Sequence, residues 1–175
     1  MLEIRSALTS DHAAVEAVHR AAFPTELEAR LVRLLIERRQ DAISQVAVVG
    51  GRVIGHVVLS PATIELGGHT IATGLGMAPV AVLPAYQNRG HGSALIRASL
   101  ERCRECAALF VVVLGEPAFY GRFGFVPASR YGLTGEFGGD DAFQIQWPIE
   151  ASDLPAGGVV RYASEFREII GASAE

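Results

Sequence analysis

Apolar and polar residues alternate at the start of the chain, Leu2 and Ile4 against Glu3 and Arg5, which is the period of a short strand. The period then lengthens. Val15, Val18 and Ala22 fall on one face of a helix that Thr9 or Ser10 is placed to cap, and Pro24 interrupts it. Thr25-Glu26-Leu27-Glu28 has the capping-box order. Leu27, Leu31, Leu34 and Leu35 make the stripe of a second helix, with Glu37, Arg38 and Arg39 on its solvated face. Residues 45–49 and 52–59 are apolar, β-branched runs joined by Gly50-Gly51, a hairpin signal, and Gly55 marks a bulge. Ile64 and Leu66, then residues 70–75, predict a second hairpin that turns at Gly67-Gly68. A strand ending over residues 80–83 follows. Pro79 within it cannot donate to a sheet ladder, which predicts a bulge or splay that leaves backbone N–H groups open to a ligand.

From about residue 90 to residue 105 the spacing is helical again, with Leu95, Ile96, Leu100 and Cys103 on one face. The continuous apolar run at 109–113 reads as a strand buried on both faces. Strand, helix and strand at this spacing predict a parallel pair, residues 80–83 against 109–113, with the intervening loop at the carboxyl end of the strands. Pro117 suits the first turn of a short helix and Gly124 its stop. Phe143, Ile145 and Trp147 alternate with Gln144 and Gln146, a half-buried strand over 142–147, and residues 159–162 add a short edge strand. Gly138-Gly139-Asp140-Asp141 is a turn whose acids are solvated or face an amine. With no internal repeat or long linker, the expectation is one α/β domain over residues 1–175, its core at about 1–150 and a C-terminal strand and extension at about 151–175.

The chemistry concentrates where the helix near residue 90 begins. A helix start carries N–H groups without intrahelical partners and the positive end of the dipole, and phosphates bind there. Gln87, Asn88, Arg89, Gly90, His91, Gly92, Ser93 and Ala94 therefore read as a pyrophosphate cradle, with Arg89 adding a fixed positive charge; the plainer reading is a glycine-rich turn that starts a helix. A dinucleotide fingerprint would want a third glycine where Leu95 stands, and no Gly-Lys-Ser/Thr is present for a P-loop.

Apolar strand, Pro84, then Gln87-x-x-Gly90-x-Gly92 and a long helix together resemble the acetyl-CoA-binding signature of GNAT-type N-acetyltransferases. A second stretch, Tyr120-Gly121-Arg122-Phe123-Gly124-Phe125-Val126-Pro127, is similar to the Tyr and Gly-Phe pattern common in that family, and especially to a bacterial branch of predicted acetyltransferases. The resemblance covers roughly residues 1–150. It implies a mixed, mostly antiparallel sheet with one splayed parallel pair and flanking helices. It implies acetyl-CoA as co-substrate, its pyrophosphate on the amides of residues 87–94 and its pantetheine arm along the backbone of Val80, Ala81 and Val82. Tyr120 becomes the general acid, and an amine on a small molecule, peptide or protein the acceptor. Relatives in this family often form dimers.

Half of the 175 residues are hydrophobic, 19% are charged and the net charge is −4, so disorder and a basic nucleic-acid footprint are not expected. The longest apolar run, about residues 107–114, is too short to span a bilayer, and no basic-then-apolar leader opens the chain; a soluble, cytoplasmic protein is the expectation. Cys103 and Cys106 lie near the end of a helix with no second pair for zinc, so they read as reduced neighbours one turn apart, and no metal is expected.

Acetyl transfer from a thioester to an amine requires a held thioester, a neutral amine, donors for the oxyanion and a proton for the thiolate. The N–H of Val80 or Val82 can serve the oxyanion. A phenol stays protonated at neutral pH, so Tyr120 can serve the thiolate. Many relatives carry a Glu on the strand leading to the loop, whereas residues 77–82 here hold no acid. Glu116, Glu26, Glu28 or a water relay remain for the base. His56 reads as structural, and His91 as a loop residue rather than a catalyst. No Ser or Cys stands in an activated constellation, which points to direct transfer in a ternary complex. The competing classes are a non-catalytic acyl-CoA sensor on the same fold and a dinucleotide-dependent oxidoreductase using Glu116 on a ribose.

Overall fold

The structure, a computed structural model, describes residues 1–148 and 156–171. In chain order its elements are β1 (Leu2–Ser6), α1 (His12–Ala22), α2 (Leu27–Glu37), β2 (Ile43–Val49), β3 (Arg52–Leu66), β4 (His69–Val82), α3 (His91–Glu105), β5 (Val111–Leu114), α4 (Pro117–Tyr120), β6 (Val126–Pro127), β7 (Leu133–Gly135), β8 (Phe143–Gln146), β9 (Gly158–Tyr162) and α5 (Ser164–Gly171). The fold is a mixed α/β one, mostly antiparallel with a parallel β4–β5 pair. The predicted hairpin turns at Gly50-Gly51 and Gly67-Gly68 both form, all four glycines at positive φ. β6, β7 and α5 were not expected from the sequence. Of the expected extension over 151–175, β9 and α5 are seen and residues 151–155 and 172–175 lie outside the described residues. The chain packs as two compact units, Met1–Leu59 with Pro79–Ser99 and Ala163–Glu175, and Ser60–Ala78 with Leu100–Tyr162.

In the first unit β1 pairs antiparallel with β2, and β2 with the first half of β3, with a register shift at Ala47/Val48 where Gly55 predicted a bulge. Val15 and Val18 of α1 and Ala29, Leu31, Val32 and Leu35 of α2 are buried, so the apolar stripes read from sequence do face the core. The caps differ. α1 starts at His12 after a short 3-10 turn, and neither Thr9 nor Ser10 caps it. The turn is fastened by the Asp11 carboxylate, which accepts the Leu8 N–H at 2.8 Å and Arg5 Nη1 at 2.6 Å. The Thr25 capping box also fails to form. Thr25 Oγ1 donates to Glu28 Oε2 at 3.2 Å and accepts the Leu27 N–H at 3.4 Å. Arg38 does not face solvent alone: its Nη1 reaches Glu168 at 2.8 Å and the buried Glu165 at 3.5 Å, both on α5, a helix the sequence reading left out.

Two fully buried histidines cross this core. His19 Nε2 on α1 lies 2.8 Å from His56 Nδ1 on β3, and His56 Nε2 lies 2.9 Å from Ser44 Oγ on β2. His56 is thus structural, as expected. Burial pushes the His19 imidazole down to about 4, and burial together with His19 and His12 pushes His56 well below its ordinary value, against a smaller upward pull from Asp11.

In the second unit β4 pairs with β5 in parallel, but at Leu75↔Val111 and Gly76↔Val112 rather than at residues 80–83. The reason is steric. A Cβ on Gly74 would lie 2.4 Å from the Phe110 carbonyl oxygen, and one on Gly76 would lie 2.6 Å from the Tyr162 ring. The close approach needs glycine at both positions, and Leu75 N–H donates to the Phe110 carbonyl at 3.0 Å. β5 and β6 each pair antiparallel with β8. β9 pairs antiparallel with β3 and parallel with β7, so it is an inner strand, not the edge strand expected. Phe110, Val111, Val112, Val113, Ile145 and Val160 form the dry centre. Among the described residues no helix is long and apolar enough to cross a membrane.

The histidine pair fixes a pH dependence. Both groups are neutral in the fold below their ordinary value of 6.5. The unfolded chain takes up protons there that the fold does not, so stability falls as pH drops below about 6.5, and for His19 the loss is complete near 4. Each unmatched proton contributes about 1.4 kcal/mol per pH unit. Urea midpoints measured from pH 7 to pH 5 should therefore decline steeply, and a flat profile would contradict the buried neutral pair.

Candidate functional site

The last residues of β4, Val80, Ala81 and Val82, lead into a 3-10 turn over Pro84–Tyr86 and then into α3. Leu83 N–H donates to the Ile54 carbonyl at 2.8 Å, which fastens the end of β4 to β3. The Gln87 side chain turns back and donates from Nε2 to the Val82 carbonyl at 2.9 Å. That bond sets the strand's end against the start of the loop. Asn88 and Gly90 take left-handed backbone conformations, φ 59° and 83°, which carry the chain round into the helix. Ala94 N–H donates to the Gly90 carbonyl at 2.9 Å and is the first helical bond. The amides of His91, Gly92 and Ser93 precede it and have no intrahelical acceptor.

Side chains around these amides are small or drawn aside. A Cβ on Gly90 would meet nothing within 4 Å, and one on Gly92 would touch only Val82 Cγ2 at 3.7 Å. The Arg89 guanidinium lies 5.9 Å from the Tyr86 ring centroid, a loose cation–π contact. His91 Nδ1 is buried with no hydrogen-bond partner, beside Tyr86 at 6.3 Å between ring centroids. Residues 80–82 and 87–94 thus come together in one unit, on a strand end, a turn and a helix start.

Tyr120 lies in the second unit, on the last residue of α4. Its ring meets Phe119 edge-on at 5.0 Å and Phe125 at 5.8 Å, and it is half-buried. A Cβ at Gly115 would fall 2.3 Å from Tyr120 Cε2, so only glycine leaves room for the ring. Gly115 positions the phenol, and nothing in the sequence pattern marked it. Burial raises the phenol above its ordinary value, which keeps the proton on the oxygen at neutral pH. The same unit holds a carboxylate that the sequence reading missed. The Glu136 side chain is 2% exposed, accepts the Tyr162 N–H at 2.6 Å and pairs with Arg161 at 3.6 Å. Its signal was absent because Glu136 sits in an irregular stretch after β7.

The three acids named as candidate bases are each engaged. Glu116 caps α4, accepting the Ala118 N–H at 3.4 Å. Glu26 pairs with Arg20 at 2.7 Å, and Glu28 accepts the Thr25 hydroxyl. Cys103 is buried and its thiol is pushed up to about 12, while Cys106 Sγ donates to the Cys103 carbonyl at 3.4 Å. Cys103 therefore stays a thiol at neutral pH.

Residues 3–128 match the family model described as an acetyltransferase (GNAT) domain. The chain is 32% identical over 168 residues to the uncharacterized N-acetyltransferase YhbS of Escherichia coli K12, covering 93% of this chain and 97% of that one. It is 33% identical over 142 residues to the uncharacterized N-acetyltransferase YjhQ of the same organism, 80% of this chain and 73% of that one. Among solved structures, E. coli YhbS in complex with CoA superposes with a TM-score of 0.87 at 32% identity, covering 95% of this chain and 92% of that chain. A GNAT acetyltransferase from Brucella melitensis in complex with acetyl-CoA gives a TM-score of 0.77 at 32% identity, covering 95% and 98%. The open amides at residues 91–93 and the orphaned His91 Nδ1 fit a pyrophosphate of the kind CoA carries.

Replacing Gly90 by Ala forces a left-handed conformation on a residue with a Cβ, at about 1–2 kcal/mol. Acetyl-CoA affinity measured by calorimetry should fall for Gly90→Ala and fall further for a bulky residue at Gly92. Unchanged affinity in both variants would remove the cradle.

Proposed function

The chain belongs to the GNAT acetyltransferase family, and from that premise we propose that it moves the acetyl group of acetyl-CoA to a primary amine by direct attack within a ternary complex. The observation that carries the reading is the junction of strand end and helix start: Gln87 tied to Val82, and three amides ahead of the first helical bond. In this reading Val80, Ala81 and Val82 hold the pantetheine arm through backbone groups. The amides and side chains of Gln87, Asn88, Arg89, Gly90, His91, Gly92, Ser93 and Ala94 hold the pyrophosphate. Acetyl-CoA supplies an acetyl group on a thioester. The Val80 or Val82 N–H donates to the carbonyl oxygen as it gains charge. The amine nitrogen forms the new bond to carbon and gives up a proton to a water relay, the carbon–sulfur bond breaks, Tyr120 gives its proton to the sulfur, and the relay returns a proton to the phenol. We read both units as one domain, because the matched span includes residues of both. We place the protein in the cytoplasm, with a small-molecule, peptide or protein amine as acceptor and a homodimer as the assembly to test; no nucleic-acid or membrane partner is part of this reading.

A second reading, a non-catalytic acyl-CoA sensor, is favoured by one observation: residues 77–82 carry no acid, and Glu26, Glu28 and Glu116 are all engaged elsewhere. Calorimetric titration with acetyl-CoA, followed by thiol release across an amine panel, separates the two. Binding with thiol release supports transfer; binding with no release from any small, peptide or protein amine supports the sensor; no binding overturns both. In the transferase, Tyr120→Phe should lower kcat about 10²-fold or more with little change in acetyl-CoA affinity, and equal turnover would end the acid assignment.

A further inference from the structure

Arg122 belongs to the Tyr120-to-Pro127 stretch and has no part in the reaction above. Its surroundings differ from those of Arg102, Arg104 and Arg161 in its unit. Arg102 and Arg104 pair with glutamates one turn away, and Arg161 pairs with Glu65 and Glu136. Arg122 has no carboxylate within ion-pair distance among the described residues. Its Nε donates to the Phe119 carbonyl at 3.1 Å. Its guanidinium lies 4.5 Å above the Phe119 ring centroid and 5.6 Å from that of Phe123. The rings are themselves packed edge to face, 5.5 Å between centroids. The guanidinium is therefore held on three sides by neutral groups that fix its position and leave its charge unbalanced.

The remaining geometry is specific. With Nε spent on a carbonyl, the side edge of the guanidinium is closed, and the pair of terminal nitrogens, Nη1 and Nη2, is left as an end-on fork on an exposed side chain. Such a fork matches two oxygens of a carboxylate or a phosphate. Most of the rotamer entropy that an arginine loses on binding is already lost here. Phe119 also links this cation to the phenol, since one of its faces carries the guanidinium and its ring meets Tyr120 edge-on at 5.0 Å.

We propose that Arg122 is an oxyanion-recognition site, reading a carboxylate on the acceptor or a phosphate on the coenzyme through its Nη fork. The proposal rests on the acetyltransferase reading for the identity of those two molecules. It does not rest on turnover, because the site binds an anion whether or not transfer follows.

The test uses the full chain and the variants Arg122→Gln, which removes the charge, and Arg122→Lys, which keeps the charge and loses the fork. The Arg122 Nε–H is hydrogen-bonded and so suited to NMR. Titration with sodium acetate and with inorganic phosphate should shift this resonance saturably in the wild type. Two further arms name the source. If the anion is the acceptor's carboxylate, Arg122→Gln lowers kcat/KM at least tenfold through KM for an amino acid but not for its carboxamide, and acetyl-CoA affinity holds. If it is the coenzyme's phosphate, the variant weakens acetyl-CoA at least tenfold and leaves 3′-dephospho-acetyl-CoA unchanged. Arg122→Lys should recover part of either loss. A wild type that releases thiol with no amine defeats the transferase reading alone, since the NMR and coenzyme arms still decide the site. No saturable shift, with both arms unmoved, overturns the proposal; so does a loss shared equally by the carboxylate and carboxamide acceptors, which would mark Arg122 as a packing residue only.

Discussion

The first turn of α3 cannot satisfy its own amides, and the candidate coenzyme site follows from that constraint. An α-helix bonds each N–H to a carbonyl four residues back, so the leading N–H groups point out with nothing to meet. Here the first closed bond runs from Ala94 to Gly90, and His91, Gly92 and Ser93 are left ahead of it. Buried amides without partners are destabilising, and exposed ones bind water or anions. The rest of the local structure keeps those amides presented. Gln87 ties the loop to Val82, Leu83 ties the strand to Ile54, and two left-handed residues make the turn short. An apolar face of Leu95, Ile96, Leu100 and Cys103 then anchors the helix.

Most of this was legible in the sequence because it depends on local periodicity and local chemistry. The Gly-Gly hairpins, the α3 stripe and the buried run before Leu114 each follow from spacing that a strand or helix imposes on its own residues. Register was less legible. The parallel ladder lies at Leu75 and Gly76 because backbone approaches backbone there, against Phe110 and beneath Tyr162, and that approach depends on residues far apart in sequence. The caps failed for a related reason. Thr9 and Ser10 have the right chemistry, but the turn before α1 is fastened by Asp11, and the Thr25 hydroxyl donates to the Glu28 side chain. A side chain with one good local partner can be claimed by another, and the sequence does not rank the claims. Of the candidate site, residues 80–82, 87–94 and Tyr120 were named from their motifs. Gly115, which makes room for the phenol, was not, since only a ring folded back on the chain gives that glycine a purpose.

The first unit is fastened by polar contacts laid through an apolar interior. His19 and His56 join α1 to β3, Ser99 donates to Gln45 at 3.1 Å to join α3 to β2, and Arg38 joins α2 to α5. Dispersion and burial supply most of the stability of such a core, but they are indifferent to small slips of a helix along a sheet. A hydrogen bond between buried groups is not indifferent, because breaking it leaves a desolvated atom unpaired. These contacts therefore fix the helices' positions more than they add to the stability. The histidine pair does so only while both imidazoles are neutral.

Burial of Tyr120 has two effects on proton transfer that oppose each other. It keeps the phenol protonated, which a donor needs, and it also makes the phenolate harder to form. In water, passing a proton from a phenol at about 10 to a thiolate at about 8.5 is already uphill by about 2 kcal/mol. Raising the phenol further steepens that climb unless the thiolate is raised more. A thiolate formed in an environment as dry as the phenol's suffers the same desolvation, and a phenolate left behind would sit against the Phe119 and Phe125 rings. In the proposed reading, with Tyr120 as the acid, the climb is removed when the new charge never develops in full: the proton would move from the phenol as the carbon–sulfur bond stretches, and water would restore it after the thiol leaves. For the proposed acid, the hydrocarbon shell around Tyr120 favours concerted donation over a free thiolate, and the proposal then rests on the hydroxyl rather than on the ring.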